Sequence, residues 1–221
     1  MRLISLVPSV TETLGAWGRT PVACTRFCER PDLEHVGGTK NPDIDRIVAL
    51  RPDLVVMDAE ENRREDHAAL LERGVAVHVL HVRALTDVNP SLAALATRVN
   101  TTWRPFVVGA ATNEHRRAFV PIWRRPWMAL GQPTYGASLL AHLGVATVTS
   151  AEPYPTITLD EAIELHPDVV IAPSEPYPFG PRHLPELERV APTILVDGRD
   201  LFWWGVRTPD ALVRLARRLG E

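Results

Sequence analysis

Lysine is almost missing from this chain: Lys40 stands alone, and the other basic residues are arginines. No Lys/Arg-rich run occurs, and the formal net charge is -3. Nucleic-acid proteins carry a basic patch, so the composition argues against that class. Cysteine is nearly as scarce. Cys24 and Cys28 are too few for a disulfide framework. Their Cys-x3-Cys spacing lacks the second pair of a zinc site, and packing at a strand end is the simpler reading. No apolar run approaches the ~18 residues of a membrane-spanning helix. The opening stretch MRLISLVPSVTETLG has a short apolar core broken by Ser5 and Pro8, and no small-residue cleavage site follows. The expected location is cytoplasmic as the sequence stands, or periplasmic or surface-attached if a leader was removed.

Catalytic signatures are absent too. There is no G-x-S-x-G elbow, no P-loop and no H-E-x-x-H. The glycines of VGGTKNPD (36–43) lack phosphate-loop spacing and read as a turn. His78 and His81 fall on opposite faces of a strand, against a shared metal. No catalytic residue is assigned, and a binding protein is expected rather than an enzyme.

What the chain does have is proline. It holds 20 in 221 residues, where average usage gives about eleven. Many flank short apolar runs and punctuate strands. The 45% hydrophobic and 23% charged residues are ordinary globular composition.

Strand and helix patterns alternate along the chain. RLISLV (2–7) reads as a strand, and SVTETLGAWG (9–18) as a helix with Ser9 and Glu12 spaced as a capping box. DIDRIVALRPDLVVM (43–57) reads as helix, proline break and buried strand. NRREDHAALLERGVAVHVL (62–80) reads as helix, glycine stop and strand. RAFVPIW (117–123), YGASLLAHLG (135–144), TLDEAIELHPDVVIA (158–172), LPELERVAPTILVD (184–197) and PDALVRLARRLG (209–220) repeat this grammar. Such alternation predicts a largely parallel α/β sheet. IDRIVALRPDLVVMDAE (44–60) also aligns without gaps to LDEAIELHPDVVIAPSE (159–175), matching Asp45 to Asp160 and Glu60 to Glu175. The expected fold class is α/β, with two related lobes of mainly parallel sheet: an N-terminal lobe 1–82, a helical linker 83–116 and a C-terminal lobe 117–221. The linker reads as helix over 86–100 and again over 106–117, broken near Pro105.

Ligands of parallel sheets bind beyond the carboxyl ends of the strands. The segments that follow the predicted strands hold Phe27 and Cys28, then Glu60, then Trp123, Trp127 and Tyr135, then Glu175, Tyr177 and Phe179, then Trp203, Trp204 and Arg207. Tyr154 lies in a nearby loop. Tryptophan and tyrosine offer broad rigid faces with a polar handle. Gathered at one end of two lobes they suit a flat, partly apolar ligand in an inter-lobe cleft. PSEPYPF (173–179) reads as one jaw of that cleft, pre-ordered by its prolines.

The order ISLVPSVTETLGAWG, VACTRFCERP, VGGTKNPDIDRIVALRPDLVVMDAEENR, WRRPWMALG, TYGASLLAHLG, YPTITLDEAIELHPDVVIAPSEPYPF and DGRDLFWWGVR resembles the helical-backbone substrate-binding proteins of ABC importers, in particular their cobalamin-binding branch. The resemblance covers nearly the whole chain. It implies two α/β lobes joined by a long helix, a corrinoid ligand between them, and an ABC permease as partner. It places Phe27, Trp127, Tyr154 and the Asp200–Arg207 segment at ligand contacts, and Asp45 and Asp160 at permease-docking carboxylates. Thr39 and Asp58 stand where the cobalamin receptor has tryptophans, so the first lobe is less aromatic and more acidic than that receptor's. Cys28 is a candidate axial ligand to cobalt, since thiolates suit some transition metals. Two alternatives stay open: a receptor for haem or a siderophore, and an enzyme using Glu60 and Glu175 as a carboxylate pair.

Overall fold

Parallel pairing between helix-separated strands dominates both halves of the chain. The structure is a computed structural model and describes residues 1–109, 111–112, 115–149 and 152–220. It contains two compact units. One is Met1–Val82 with Thr86–Phe106; the other is Arg83–Leu85 with the chain from Val107 onward.

In the first unit the strands are β1 (Leu3–Ser5), β2 (Ala23–Cys24), β3 (Glu34–His35), the hairpin strands β4 (Gly37–Gly38) and β5 (Asn41–Pro42), β6 (Leu54–Asp58) and β7 (Val77–Leu80). The helices are α1 (Pro8–Ala16), α2 (Ile44–Ala49), α3 (Arg64–Glu72) and α4 (Val88–Arg98). The main sheet runs β3-β2-β1-β6-β7, with every pair parallel. β6 is buried along its whole length, which is why it reads as an unbroken apolar run. Ile4, Leu6, Val36, Ile47, Val55, Met57 and Leu70 form the core around it. Gly37 opens β4 at φ 92, where a Cβ would lie 2.6 Å from the Asn41 carbonyl oxygen.

Two local expectations are corrected. The capping box at Ser9 and Glu12 does not form, because Pro8 takes the first helical position and Val7 caps without a side-chain bond. The helical pattern of 86–100 becomes α4, which packs on β7, but among the described residues of 106–117 no second helix follows. Residues 101–109 are irregular and 116–119 form a strand; 110, 113 and 114 lie outside the described residues. Asn89 explains the irregular backbone at 103–106. Its side-chain oxygen accepts from the Trp103 indole and the Phe106 amide, each at 3.2 Å, and its amide donates to the Phe106 carbonyl at 2.9 Å. Trp103 also packs on Trp17, with ring centres 5.7 Å apart.

The second unit contains β8 (Arg116–Phe119), β9 (Pro121–Trp123), β10 (Met128–Ala129), α5 (Tyr135–His142), β11 (Val145–Thr147), α6 (Leu159–Glu164), β12 (Val169–Pro173), α7 (Leu184–Leu187), β13 (Thr193–Val196), α8 (Gly198–Phe202) and α9 (Thr208–Gly220). Its parallel sheet runs β11-β8-β12-β13. β9 and β10 pair antiparallel, and the backbone of 153–157 lies along β10 as a further rung. Gly131 and Ala129 donate to the carbonyls of Pro153 and Pro155, at 2.8 and 3.0 Å.

The sequence echo is a structural repeat. α2 and α6, and β6 and β12, begin and end at equivalent positions of the echo. Each helix carries a side-chain N-cap at the matching position, Asp43 and Thr158. Arg51 and His166, also equivalent, both adopt positive φ, 47° and 49°, in the turn before the proline.

The packing generates a stability prediction. A Cβ on Gly131 would stand 2.0 Å from the Glu152 carbonyl oxygen, whereas one on Gly109 meets nothing within 4 Å. Gly131→Ala should lower unfolding stability by ~1–3 kcal/mol, and Gly109→Ala should leave the urea midpoint nearly unchanged.

Candidate functional site

Parallel order sends the loops that follow β1, β2 and β6 to the carboxyl edge of the first sheet, where side chains tie them together. Asn62 is the staple. It accepts from the Asp58 amide at 2.9 Å and donates to the carbonyls of Leu6 and Thr39, at 3.2 and 2.9 Å. Asp58 Oδ1 accepts from the Glu60 amide at 2.8 Å and the Glu61 amide at 3.3 Å. Asp58 Oδ2 is buried with no partner among the described residues, and the residue is 1% exposed. Burial, chiefly, raises its pKa to about 7, and the neighbouring Glu61 and Glu60 add to the rise. Lys40 Nζ donates to the Glu60 carbonyl at 2.7 Å, and the Glu60 carboxylate lies 3.8 Å from the His81 ring.

In the loop after β2, Phe27 is 50% exposed, with the Arg26 guanidinium 4.8 Å from its ring centre. Cys28 turns the other way. It is 4% exposed, and its sulfur sits 3.1 Å from Thr11 Oγ1 and 3.2 Å from Thr25 Oγ1. The expectation of Cys28 as a cobalt ligand is not met by this placement, because the sulfur is enclosed by hydroxyls of its own unit.

The second unit gathers its aromatics. Trp127 stacks on Phe179, with ring centres 5.9 Å apart and planes at 6°. Tyr177 meets Phe179 at 4.7 Å and, edge-on, Trp123 at 5.7 Å and His183 at 5.5 Å. Trp123 and Tyr154 are each 44% exposed. Phe179 is buried in the core with Phe119 and Leu187, so it supports this ledge from beneath. Arg124 Nε, 2.9 Å from Glu186, holds the rim, and its guanidinium lies 5.8 Å from the Trp127 ring.

Glu175 accepts from the Trp203 indole at 3.0 Å. Gly198 permits this approach, since a Cβ there would lie 2.4 Å from the Glu175 amide nitrogen. Arg207 lies 5.3 Å from the Trp203 ring centre and donates to buried Asp200 at 3.0 Å. Arg214 forks onto the same carboxylate with two bonds of 2.7 Å.

Two expected contacts are corrected. Tyr135 and Trp204 are buried, leaving little surface for a ligand. The Tyr135 hydroxyl pairs with Thr208 at 3.1 Å across α5 and α9, and burial pushes its pKa up. Asp45 and Asp160 lie exposed in the first turns of α2 and α6, each beside an arginine: Arg73 at 2.7 Å and Arg189 at 3.8 Å. Sequence reasoning missed Asn62 and the paired threonines around Cys28. The Asp58–Asn62 spacing after a strand was the available signal for the first; the second had none.

Residues 3–105 match the family described as Periplasmic binding protein. A vitamin B12-binding protein of Salmonella choleraesuis is 25% identical over 194 residues, which cover 77% of this chain and 71% of that protein. Among solved structures, the periplasmic vitamin B12 binding protein BtuF of Vibrio cholerae superposes with a TM-score of 0.76 at 19% identity, covering 99% of this chain and 96% of that one. The periplasmic heme binding protein HutB of Vibrio cholerae superposes at 0.79 and 18% identity, covering 100% and 99%. The resemblance to importer substrate-binding proteins therefore holds, and the two-lobed α/β fold is theirs. Among the described residues no helix is long and apolar enough to cross a membrane.

Asp58 gives the first unit a pH dependence. An unfolded aspartate loses its proton near pH 4, whereas folded Asp58 keeps it to about 7. Between these values the folded state binds the extra proton, so stability falls as pH rises from ~4 to ~7 and then levels. Asp58→Asn keeps the acceptor for Glu60 and Glu61 but cannot ionise. It should flatten this slope and stabilise the protein at pH 8 by on the order of 1–3 kcal/mol, read from urea unfolding at several pH values.

Proposed function

We propose that this protein is a solute-binding protein for a corrinoid, held against the carboxyl-edge loops of its units, and that it delivers this ligand to an ABC permease. The observation that carries the reading is the aromatic ledge of the second unit. Trp123 and Tyr154 present open faces on a rigid antiparallel ribbon, backed by Tyr177, Trp127 and buried Phe179. Such a surface suits a broad, flat macrocycle and costs little ordering on binding. Phe27 supplies a smaller apolar face in the first unit.

The haem reading draws on equally similar folds, and charge supports the corrinoid over it. The loop after β6 in the first unit carries Glu60 and Glu61, with Lys40 bound to the Glu60 backbone. Carboxylates at the rim repel the propionates of haem but accept hydrogen bonds from the amide side chains of a corrinoid. The vitamin B12-binding names of the curated relatives point the same way. A periplasmic or surface location follows from this reading, and Asp45 and Asp160 become the docking carboxylates, one per unit.

Titration with cyanocobalamin should show saturable binding, and haemin at equal concentration should not displace it. Trp123→Ala and Tyr154→Ala should each weaken binding roughly tenfold or more, a loss of ~1.4 kcal/mol. Haemin binding without cobalamin binding overturns the corrinoid in favour of haem. In the same titration the double variant Asp45→Ala, Asp160→Ala should keep its affinity within about twofold; a larger loss would move these residues from docking to ligand contact.

A further inference from the structure

One cluster in the first unit takes no part in the proposed ligand site. Cys24 closes β2, and Cys28 ends the turn that follows, its amide donating to the Thr25 carbonyl at 3.1 Å. Two hydroxyls flank the Cys28 sulfur: Thr11 from α1 donates to it at 3.1 Å, and Thr25 Oγ1 lies 3.2 Å away; the Cys24 thiol is near enough to shift its ionisation. Thr11 Oγ1 is also 3.0 Å from the Val7 carbonyl, so its single hydrogen can serve either acceptor. It turns to the sulfur when that sulfur is ionised. Buried cysteines in apolar pockets are inert; a sulfur ringed by hydroxyls is not in such a pocket. The Cys24 thiol, first, and then the threonine hydroxyls hold Cys28 below the ordinary thiol range against the opposing effect of burial. The same contact, with burial, pushes Cys24 up, so the pair divides into a nucleophile and a protonated neighbour.

We propose that Cys24 and Cys28 form a peroxide-sensitive dithiol that closes to a disulfide and, in closing, displaces the Arg26–Phe27 turn. Burial selects the oxidant. Cys24 is wholly covered and Cys28 nearly so, which favours a water-sized peroxide over a bulky disulfide. The Cys28 thiolate attacks one oxygen of hydrogen peroxide; the O–O bond breaks, hydroxide leaves, and a sulfenic acid remains. Cys24 sulfur then attacks the sulfenic sulfur. The S–S bond forms, the S–O bond breaks, and the departing hydroxide takes the Cys24 proton as water. In sum two thiols give up two electrons and two protons, and one peroxide becomes two waters.

The geometry decides which cysteine moves. Cys24 is fixed in the ladder, paired to Ser5 and His35, and its carbonyl accepts from Val36 at 2.9 Å. Cys28 sits in the loop, so it must leave Thr11 and draw the turn with it. Phe27 rides on that turn and lies against Gly38, where a Cβ would be 3.1 Å from its ring. Closure therefore reaches both α1 and the β4–β5 hairpin.

The test treats the folded full chain with hydrogen peroxide and reads intact mass. The expected product is lighter by about 2 Da and regains that mass with reductant. Trypsin cleaves after Arg26, between the cysteines, so the two peptides remain joined only in the oxidised protein. Cys24→Ser should stop at a sulfenic acid, about 16 Da heavier and trapped by dimedone. Cys28→Ser should not react, and Thr11→Val should slow oxidation severalfold. Unchanged mass in the folded wild type, with oxidation only after urea unfolding, overturns the proposal and leaves the pair as packing. Intermolecular disulfides, or equal reactivity of the two serine variants, overturn it as well. The wild-type peptide map decides the matter even if a serine variant fails to fold.

Discussion

One clasp, used twice, sets the register on which each unit depends. In the first unit the Arg2 amide donates to the Asp53 carboxylate at 2.5 Å, the Asp53 amide returns a bond to the Arg2 carbonyl at 2.8 Å, and the Arg2 guanidinium holds the Leu50 carbonyl at 2.9 Å. In the second the Arg117 amide donates to Asp168 at 2.7 Å, the Asp168 amide returns a bond at 2.8 Å, and the Arg117 guanidinium holds the Leu165 carbonyl at 2.7 Å. The clasp joins the entering strand to the turn between helix and buried strand, so it fixes both the strand pairing and the helix end. A slip of one residue would move every side chain of β6 and β12 to the opposite face of its sheet. The aspartates are exposed and the bonds individually modest. Their effect is to choose one register among several that the apolar runs would tolerate.

With the register fixed, the same scaffold carries opposite chemistry at its two carboxyl edges. β6 ends in Asp58, whose carboxylate and amide organise a polar loop through Asn62. β12 ends in Pro173, which has no amide to give, and the chain leaves it through alternating prolines and aromatics. The first edge is therefore closed by hydrogen bonds and the second by ring packing. Hydrogen bonds aim polar groups; stacked rings present area.

The repeated part of the fold was legible because it rests on local rules: helix caps, a proline break, and an apolar run too short for anything but a buried strand. The echo between 44–60 and 159–175 carried those rules twice, and both helix-strand units appear as read. The site was legible by neighbourhood and not by orientation. Tyr135 lies in the predicted loop cluster, yet its hydroxyl finds Thr208 on the last helix, a partner 73 residues away that no local pattern discloses. Trp203 and Trp204 are adjacent in sequence and diverge completely, one bound to Glu175 and the other buried. Cys28 shows the same limit. Its spacing from Cys24 was visible, but the threonine of α1 that encloses its sulfur could only come from the fold. The second half of the expected linker helix was misread because periodicity cannot see that Asn89 offers the chain a better set of bonds.

The two equivalent glutamates show how a duplicated scaffold separates position from role. Glu60 and Glu175 occupy matching places after matching strands, which is what made a catalytic carboxylate pair conceivable. Each is now engaged inside its own unit. Glu60 faces His81 from the end of β7, while its carbonyl holds the single lysine of the chain. Glu175 receives the indole of Trp203 and packs on Gly198. The indole bond to Glu175 Oε2 fixes the Trp203 ring. Glu175 thereby sets the angle of Trp203, and through the ring contact the place of Arg207, whose charge is in turn balanced by Asp200. That chain of contacts is built to hold surfaces still. It is the construction expected of recognition, where the geometry before the ligand arrives must already be the geometry that binds it.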